Sequence, residues 1–374
     1  MTPRVVYMAG GASGGHLYPG VAVARELQEL SGIETRFLCL GSALEQQIIS
    51  AHGFRSIAIP ELRTKSVSNV GRALRALRRL FAADAPLAVV GLGGRSSFLP
   101  AIFAAWRGVP VFLFEQNRIL GKTNRWLLRW ATRVMLAFDE TQGPRRLRRC
   151  GIVLGCPVRR EFRASDLPAS DTVIELLVLG GSQGAEDLNR LLAAAVPTAP
   201  ADLRARLHIT HMTGAEKGGE LTAAYRAANI SADVTSYDEQ LASRLHRAHF
   251  VVARAGGSTV AELCAVGRGA LLVPYPHHRD RQQFLNADVM VAAGAACIAN
   301  TRAEEFAPLL WNSIGSSRIR AEQAKRASAL GKCRAARNTA FVIATHLEML
   351  PASEASELSD AEGPLASRAA CRGG

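Results

Sequence analysis

Long apolar runs, patterned cysteines and aromatic residues are all scarce in this chain of 374 residues. No apolar stretch reaches about 18 residues, the length that a membrane-spanning helix requires. The seven cysteines are scattered without a Cys-x-x-Cys pair, so we interpret them as reduced cytosolic thiols rather than disulfides or zinc ligands. Aromatic residues make up only 6%, and basic residues do not alternate with them, which argues against a nucleic-acid-binding protein.

Three signatures of nucleotide and metal sites are also missing. The turn at residues 10–16 does not follow the Gly-x-Gly-x-x-Gly spacing of nicotinamide-dependent enzymes, and no acidic residue follows the second predicted strand to hold a ribose. No Gly-x-x-x-x-Gly-Lys-Ser/Thr occurs, which argues against a P-loop kinase. An Asp-x-Asp pair and a convincing histidine set are absent as well, so we expect neither a metal nor a cofactor.

Positive charge is present in excess and is concentrated in the first part of the chain. Of a formal net charge of +13, residues 1–160 contribute 23 Lys and Arg against 9 Asp and Glu, whereas residues 161–350 carry 20 against 19. Such asymmetry indicates that the first part meets something anionic. Nucleic acid, an acidic membrane surface and a phosphorylated substrate are the candidates, and the scarcity of aromatic residues makes the first the weakest.

The densest basic stretch, residues 70–81, predicts an amphipathic helix. Its apolar residues recur at helical spacing, and arginines fill the positions between them: Leu74, Leu77, Leu80 and Phe81 form the stripe, and Arg72, Arg75, Arg78 and Arg79 the opposite face. The stripe can pack on a sheet while the arginines stay solvated, or the arginine face can lie on an anionic bilayer. The two interpretations are compatible.

Short apolar runs alternate with helical patterns along the whole chain. This alternation predicts parallel sheets covered on both faces, in two doubly wound α/β domains that face each other across a cleft. We place the domains at residues 1–160 and 161–350, and expect residues 351–374 to be a disordered tail. The predicted strands are residues 5–9, 36–40, 87–90, 109–114 and 133–136 in the first domain, and 173–179, 207–211, 232–235, 250–253 and 270–273 in the second.

Glycine-rich turns follow strands in both domains, at residues 10–16, 180–184 and 256–258. Backbone N–H groups of such turns, together with a helix N-terminus, can bind a diphosphate. Glu262 stands one turn into the last of these helices, where a carboxylate can accept two ribose hydroxyls or simply stabilise the helix dipole. The segment at 274–286, dense in amide and charged groups, can recognise a polyol or be an ordinary solvated loop.

Six motifs occur in a fixed order along the chain. They are residues 10–16 with Tyr18-Pro19-Gly20, Glu115-Gln116-Asn117, Pro157-Val158-Arg159, residues 180–184, residues 256–262 and residues 280–286. Together they resemble the MurG family of bacterial glycosyltransferases, over about residues 4–345. The resemblance implies a GT-B fold of two Rossmann-like domains. It also implies inverting transfer of N-acetylglucosamine from UDP-N-acetylglucosamine to the C4 hydroxyl of undecaprenyl-diphosphate-linked N-acetylmuramyl-pentapeptide, the step from lipid I to lipid II in peptidoglycan synthesis.

The resemblance also assigns roles and a location. His16 becomes the leading candidate base, whose ordinary pKa near 6.5 suits that role, although it can instead fix the glycine turn. The resemblance implies that Glu115 is a second candidate catalytic residue, near the acceptor, and that the chain is a peripheral protein at the cytoplasmic face of the bacterial inner membrane. The UDP-sugar contacts would be Ser13, Gly14, Gly15, Asn117, Arg159, Ser182, Gly257, Ser258, Thr259, Val260, Ala261, Glu262 and Gln282, with Gln283 and Asn286 as sugar contacts.

Three positions depart from the residues usual in this family, namely Arg95, Phe98 and Cys156. Arg95 and Phe98 fall on the side of the acceptor. The resemblance therefore supports the donor more strongly than the acceptor, and a diverged glycosyltransferase that uses UDP-sugars with another lipid or polyol acceptor is the alternative.

Overall fold

The computed structural model describes residues 4–11, 13–63, 66–180, 186–214, 218–236, 238, 240–277, 280–300 and 302–349. The predicted tail at 351–374 lies outside these residues. None of the helices described is both long enough and apolar enough to cross a bilayer.

A parallel sheet of seven strands, in the order β3-β2-β1-β4-β5-β6-β7, forms the centre of the N-terminal lobe. Its interior strand β1 is an uninterrupted buried apolar run, as expected for a parallel sheet that helices cover on both faces. The five strands predicted for this half are confirmed, with ends shifted by two residues or fewer. In chain order the strands are β1 (Val5–Ala9), β2 (Glu34–Cys39), β3 (Arg55–Ala58), β4 (Ala88–Gly91), β5 (Val111–Glu115), β6 (Arg133–Leu136) and β7 (Gly151–Val153).

Helices between these strands pack on both faces of the sheet. The predicted amphipathic helix is confirmed and extends further at both ends: its Leu77 and Phe81 are buried in the lobe's core, while the arginines of the opposite face are exposed. The helices of this part are α1 (Gly14–Ser31), α2 (Ala43–Ala51), α3 (Val67–Asp84), α4 (Phe98–Trp106), α5 (Lys122–Leu127) and α6 (Leu147–Cys150).

The C-terminal lobe has a second parallel sheet of six strands, in the order β10-β9-β8-β11-β12-β13. All five strands predicted for this half are present. They and one further strand are β8 (Ile174–Leu179), β9 (Leu207–Met212), β10 (Ser231–Thr235), β11 (Phe250–Ala253), β12 (Ala270–Leu272) and β13 (Ala296–Ile298). The helices are α7 (Glu186–Ala195), α8 (Ala201–Arg204), α9 (Gly218–Ala227), α10 (Leu241–Arg247), α11 (Gly257–Val266), α12 (Gln282–Ala292), α13 (Ala303–Gly315) and α14 (Ser317–Ala329).

The last described helix, α15 (Ala335–His346), returns to the N-terminal lobe and packs on α1. Its Ile343 belongs to the same buried cluster as Met8 of β1, and the His346 ring meets the Phe112 ring edge-on at 5.4 Å. The division predicted from the sequence assigns this helix to residues 161–350, whereas its packing assigns it to the N-terminal lobe. The chain therefore passes between the lobes twice.

The carboxyl ends of the two sheets face the gap between the lobes. The segments after β1 and β5 meet those after β11 and β12 there: Gly15 lies near Ser258, and Asn117 is hydrogen-bonded to Asn286. In open parallel sheets, ligands bind beyond the carboxyl ends of the strands. The gap is consequently where the predicted site residues meet.

Candidate functional site

A strained glycine turn after β1 places His16 at the edge of the gap. Gly10 and Gly11 both have positive φ, at 112° and 106°, which favours glycine because it lacks a Cβ. A Cβ on Gly10 would also collide with the carbonyl oxygen of Gly93. The turn leads into α1, whose N-cap residue Ser13 does not cap the helix with its side chain. Instead, the Ser13 hydroxyl lies 3.0 Å from Nδ1 of His16.

The other edge of the His16 ring lies against Gly93, in the turn after β4. An ideal Cβ on Gly93 would stand 2.9 Å from Cδ2 and 3.2 Å from Nε2 of His16, so glycine leaves room for this ring. Burial lowers the pKa of His16 below its ordinary value, which keeps the imidazole neutral at pH 7. If Nδ1 donates its proton to Ser13, then Nε2 is the free acceptor, as a general base requires.

Glu115, the last residue of β5, organises the loop that follows it. One carboxylate oxygen accepts from the Asn117 backbone N–H and from its side-chain amide, both at 3.1 Å. The other accepts from the Gly121 N–H at 2.8 Å and from Nδ2 of Asn124 at 3.0 Å. Burial raises the pKa of Glu115, and these donors oppose that shift. Both oxygens are engaged within the N-terminal lobe, which favours a positioning role for Glu115.

Two glycines bring the lobes into direct contact at the start of α11. A Cβ on Gly257 would overlap the backbone carbonyl of Gln116, and a Cβ on Gly15 would lie 3.5 Å from the Ser258 hydroxyl. Gly256 supplies no side-chain cap to this helix. The first N–H groups of α11 therefore face the glycine turn of α1 and the loop after β5, with the helix dipole adding partial positive charge.

Glu262 and Arg159 lie near each other behind this contact. Burial raises the pKa of Glu262 to about 7, and the positive charge of Arg159 opposes the shift. The Arg159 guanidinium stacks over the Tyr18 ring at 4.2 Å and the Phe162 ring at 4.8 Å, and its buried Nε has no hydrogen-bond partner within the described residues. A buried guanidinium with a spare donor beside a buried carboxylate is well suited to bind an anionic, hydroxyl-bearing ligand.

The start of α12 contributes amide side chains, which are already engaged. Asn286 is fully buried, and its Nδ2 donates to Oδ1 of Asn117 at 3.0 Å and to the Ala255 carbonyl at 3.1 Å. Oε1 of Gln283 accepts from the Tyr275 N–H at 2.8 Å. In this arrangement Asn286 joins the two lobes, and Gln283 fixes the loop before α12.

The remaining predicted contacts divide by position. Gly14 is buried at the start of α1, Val260 is buried in the core of the C-terminal lobe, and the partly buried Ala261 packs against the cores of both lobes. Thr259 and Gln282 are half-buried in the first turns of α11 and α12. Ser182 lies outside the described residues. The structure thus groups His16, Asn117, Arg159, the start of α11, Glu262 and the start of α12 around one gap.

Arg254 is a residue of this region to which the sequence motifs gave no role. It follows β11 directly, is buried, and donates from Nη1 to the Val273 carbonyl at 3.0 Å. Its Nη2 lies 3.5 Å from Asp187 at the start of α7. The sequence did contain a signal for this residue, namely an arginine placed between an apolar strand and a glycine turn. Among the described residues, no three His, Cys, Asp or Glu side chains are grouped as a metal site.

Comparison with known proteins gives consistent matches over both lobes. Residues 5–136 match the glycosyltransferase family 28 N-terminal domain, and residues 175–326 match its C-terminal domain. A UDP-N-acetylglucosamine--N-acetylmuramyl-(pentapeptide) pyrophosphoryl-undecaprenol N-acetylglucosamine transferase of Vibrio parahaemolyticus is 38% identical over 309 residues, covering 78% of this chain and 83% of that protein. The enzyme of the same name from Hahella chejuensis is 35% identical over 353 residues, covering 90% and 96%.

Solved structures agree with the sequence matches. The crystal structure of Acinetobacter baumannii MurG superposes with a TM-score of 0.74 at 26% identity, covering 92% of this chain and all of that one. The S. aureus MnaA–UDP structure has a TM-score of 0.68 at 12% identity, covering 93% of this chain and 98% of that one. At that identity the second likeness shows the fold alone.

Proposed function

The chain belongs to glycosyltransferase family 28, and from this membership we propose that it transfers N-acetylglucosamine from UDP-N-acetylglucosamine to lipid I, which forms lipid II. The names of the relatives supply the donor and the acceptor. The observation in the structure that carries the proposal is the convergence of His16, the start of α11 and the neighbouring side chains of Arg159 and Glu262 on one gap. This transfer requires a base, a site for the diphosphate and a group that accepts hydrogen bonds from the ribose.

In the proposed donor complex, the Glu262 carboxylate accepts hydrogen bonds from hydroxyls of the ribose, and the N–H groups of α11 bind the diphosphate. These N–H groups belong to Gly257, Ser258 and Thr259, and the N-cap residue Gly256 provides no side-chain hydrogen bond to them. Arg159 adds a fixed positive charge whose Nε is free to donate. Donors that are already oriented stabilise the charge that grows on UDP as it departs.

The proposed reaction is a single displacement. The acceptor hydroxyl oxygen bonds to C1 of N-acetylglucosamine, the bond from C1 to the diphosphate oxygen breaks, and UDP leaves with the bonding electron pair. Nε2 of His16 takes the hydroxyl proton. Attack on the face opposite UDP inverts the configuration at C1. The loop that the Glu115 carboxylate holds would contact the acceptor sugar.

A layer of three helices provides the surface that we propose meets the bilayer. The helices α3, α4 and α5 pack side by side on one face of the N-terminal sheet. Trp106 at the end of α4 is 74% exposed and Trp126 in α5 is 70% exposed, and the arginines on the polar face of α3 are exposed as well. Exposed tryptophans with arginines are typical of proteins that lie on anionic membranes. These exposed side chains support our proposal that the protein lies peripherally at the cytoplasmic face of the plasma membrane, where it would meet lipid I.

A transfer assay in detergent tests the proposal. Purified protein receives UDP-N-acetylglucosamine with lipid I, with undecaprenyl phosphate, or with no acceptor, and released UDP is measured. We expect UDP release only with lipid I. Release without acceptor would indicate an epimerase-like reaction instead. Release with undecaprenyl phosphate but not with lipid I would favour the diverged enzyme suggested by Arg95 and Phe98. Arg95 is exposed and Phe98 begins α4, and both follow β4 in the chain.

A further inference from the structure

Arg118 reaches across the gap from the N-terminal lobe to α12. Its Nη1 lies 2.8 Å from Oδ2 of Asp288 and also donates to the Leu285 carbonyl at 3.3 Å. Its Nη2 pairs with Glu140 of its own lobe. The arginine side chain is 14% exposed, whereas the two acids are 59% and 78% exposed. One guanidinium therefore holds one carboxylate from each lobe.

The neighbouring residues form hydrogen bonds across the same boundary. The Arg118 N–H donates to Oδ1 of Asn286 at 3.0 Å, and Nδ2 of Asn286 donates to Oδ1 of Asn117 at 3.0 Å. We name Asn117, Arg118, Asn286 and Asp288 the interlobe bridge. Its buried core is the amide pair, and its outer part is the ion pair.

The interlobe bridge fixes a loop on which the rest of the gap depends. The loop is held at one side by Glu115, and its Gln116 carbonyl is the atom that Gly257 approaches. Nε2 of Gln116 donates to the Gly15 carbonyl at 3.4 Å, next to His16. A shift of α12 relative to this loop would thus change the distance between the start of α11 and the proposed base.

We propose that Arg118 and Asp288 are positioning residues, whose ion pair favours the closed arrangement of the lobes and so sets the alignment of donor and base. Neither side chain is placed in contact with the donor or the acceptor; both act through the Asn117–Asn286 amide pair. The catalytic part of this inference rests on the proposed function, whereas the effect on lobe closure does not.

Because the Asp288 carboxylate is more than half exposed, we expect loss of its ion pair with Arg118 to have a modest effect on lobe closure. Ion pairs of this kind change an equilibrium by up to about fivefold, and salt weakens them. Loss of the pair should therefore lower kcat/KM for UDP-N-acetylglucosamine by up to about fivefold. It should also increase the population of open molecules in the free protein.

Two acids on the same guanidinium provide a matched comparison. Asp288→Asn removes the carboxylate from the other lobe, and Glu140→Gln removes the one from the same lobe. Small-angle X-ray scattering of the full chain at low salt measures the radius of gyration, and thermal unfolding verifies that each variant is folded. We expect a larger radius for Asp288→Asn and a parental radius for Glu140→Gln, with kcat/KM following the same order.

A charge exchange completes the test. Asp288→Arg alone should open the lobes further, because two guanidinium groups then face each other. Arg118→Glu combined with Asp288→Arg should restore closure and kcat/KM when Glu140→Gln is also present, because the Glu140 carboxylate, which pairs with Arg118 in the parent protein, would repel a carboxylate at position 118. Equal radii for Asp288→Asn and Glu140→Gln, or no restoration in the exchanged pair, would overturn the proposal. If the parent protein transferred no sugar to lipid I, the scattering comparison would still decide the role of the ion pair, separately from the proposed function.

Discussion

The hydroxyl oxygen of Ser13 and Nδ1 of His16 are 3.0 Å apart, and the direction of this hydrogen bond decides whether Nε2 of the imidazole carries a proton. A serine that accepts from Nδ1–H leaves Nε2 unprotonated and able to receive a proton. A serine that donates to Nδ1 would leave Nε2 protonated and unsuitable as a base. The proposed mechanism needs the first arrangement.

Variants of these two residues separate the base from its orienting partner. His16→Ala should lower kcat by roughly 10²–10⁴-fold because the proton acceptor is lost. Ser13→Ala should lower kcat by about tenfold, the value of one orienting hydrogen bond, while Ser13→Thr retains the hydroxyl and should stay near the parent. Steady-state kinetics with saturating donor measures all three, and His16→Ala at nearly parental kcat would remove His16 from the role of base.

Donor affinity should depend on pH through Glu262. Its pKa of about 7 means that the carboxyl must lose a proton to accept two ribose hydroxyls, so UDP affinity should fall as the pH drops from 8 to 6. Glu262→Gln should bind UDP roughly 10–100-fold more weakly at pH 8 and lose this part of the pH dependence. Calorimetric titration measures the affinity for UDP at each pH in both proteins. The protonation of UDP itself contributes equally to both, so the difference between the two pH profiles reports on Glu262. Identical pH profiles would contradict the assignment.

The same carboxyl should reduce the stability of the free protein at high pH. Its pKa is near 4.3 when unfolded and about 7 when folded, so between these values the folded state binds more protons. Stability therefore falls as the pH rises through this window. Glu262→Gln should raise the Tm of the ligand-free protein at pH 8 and change it little at pH 4.5. A lower Tm for the variant at pH 8 would show that the carboxylate is stabilised in the folded state instead.

Gly257→Ala should separate the lobes, since the added Cβ would overlap the Gln116 carbonyl. We expect kcat/KM to fall by at least about tenfold, because a small misplacement between donor site and base is costly. Gly219→Ala is the control, as its Cβ would meet no atom within 4 Å, and it should stay at parental activity. Parental kcat/KM for Gly257→Ala would show that the lobes do not close at this contact during turnover.

Membrane binding should depend on the arginine face of α3. Replacing Arg75, Arg78 and Arg79 together with Gln should weaken binding to anionic vesicles by about 100-fold, at roughly 1 kcal/mol for each arginine. The same number of charges removed from the C-terminal lobe, by Arg226→Gln, Arg318→Gln and Lys325→Gln, should have little effect. Co-sedimentation with vesicles measures both, and equal losses would point to net charge rather than this surface.

Most strand predictions from the sequence succeeded where the apolar run is buried, as in β1 and β11; β10 is the exception, an edge strand without a buried residue that was nevertheless predicted. All ten predicted strands are present, and the three that were not predicted are edge or short strands: β3, β7 and β13. β3 is an edge strand without a fully buried residue, and β7 and β13 have three residues each. Such strands form because a neighbouring strand offers backbone hydrogen bonds. The periodicity of the sequence contains no information about that neighbour.

The site shows the same limit at the level of side chains. Motif spacing indicated that Glu262 and the turn before α11 belong to the site, because a strand, a glycine turn and a helix in succession fix the local geometry. The roles of Asn286 and Arg118 depend on contacts across more than 160 positions of the chain. The return of α15 to the N-terminal lobe is likewise a long-range packing event. Contacts between lobes are set by the assembled surfaces, which no local pattern contains.

The central claim is most directly tested by the product of a single turnover with lipid I. Protein in excess is mixed with UDP-N-acetylglucosamine and lipid I, and the lipid product is analysed by mass spectrometry and NMR. We expect one added N-acetylhexosamine per lipid, joined at C4 with inverted anomeric configuration, and one UDP released. A retained configuration, a different attachment position, or UDP release without a modified lipid would contradict the claim.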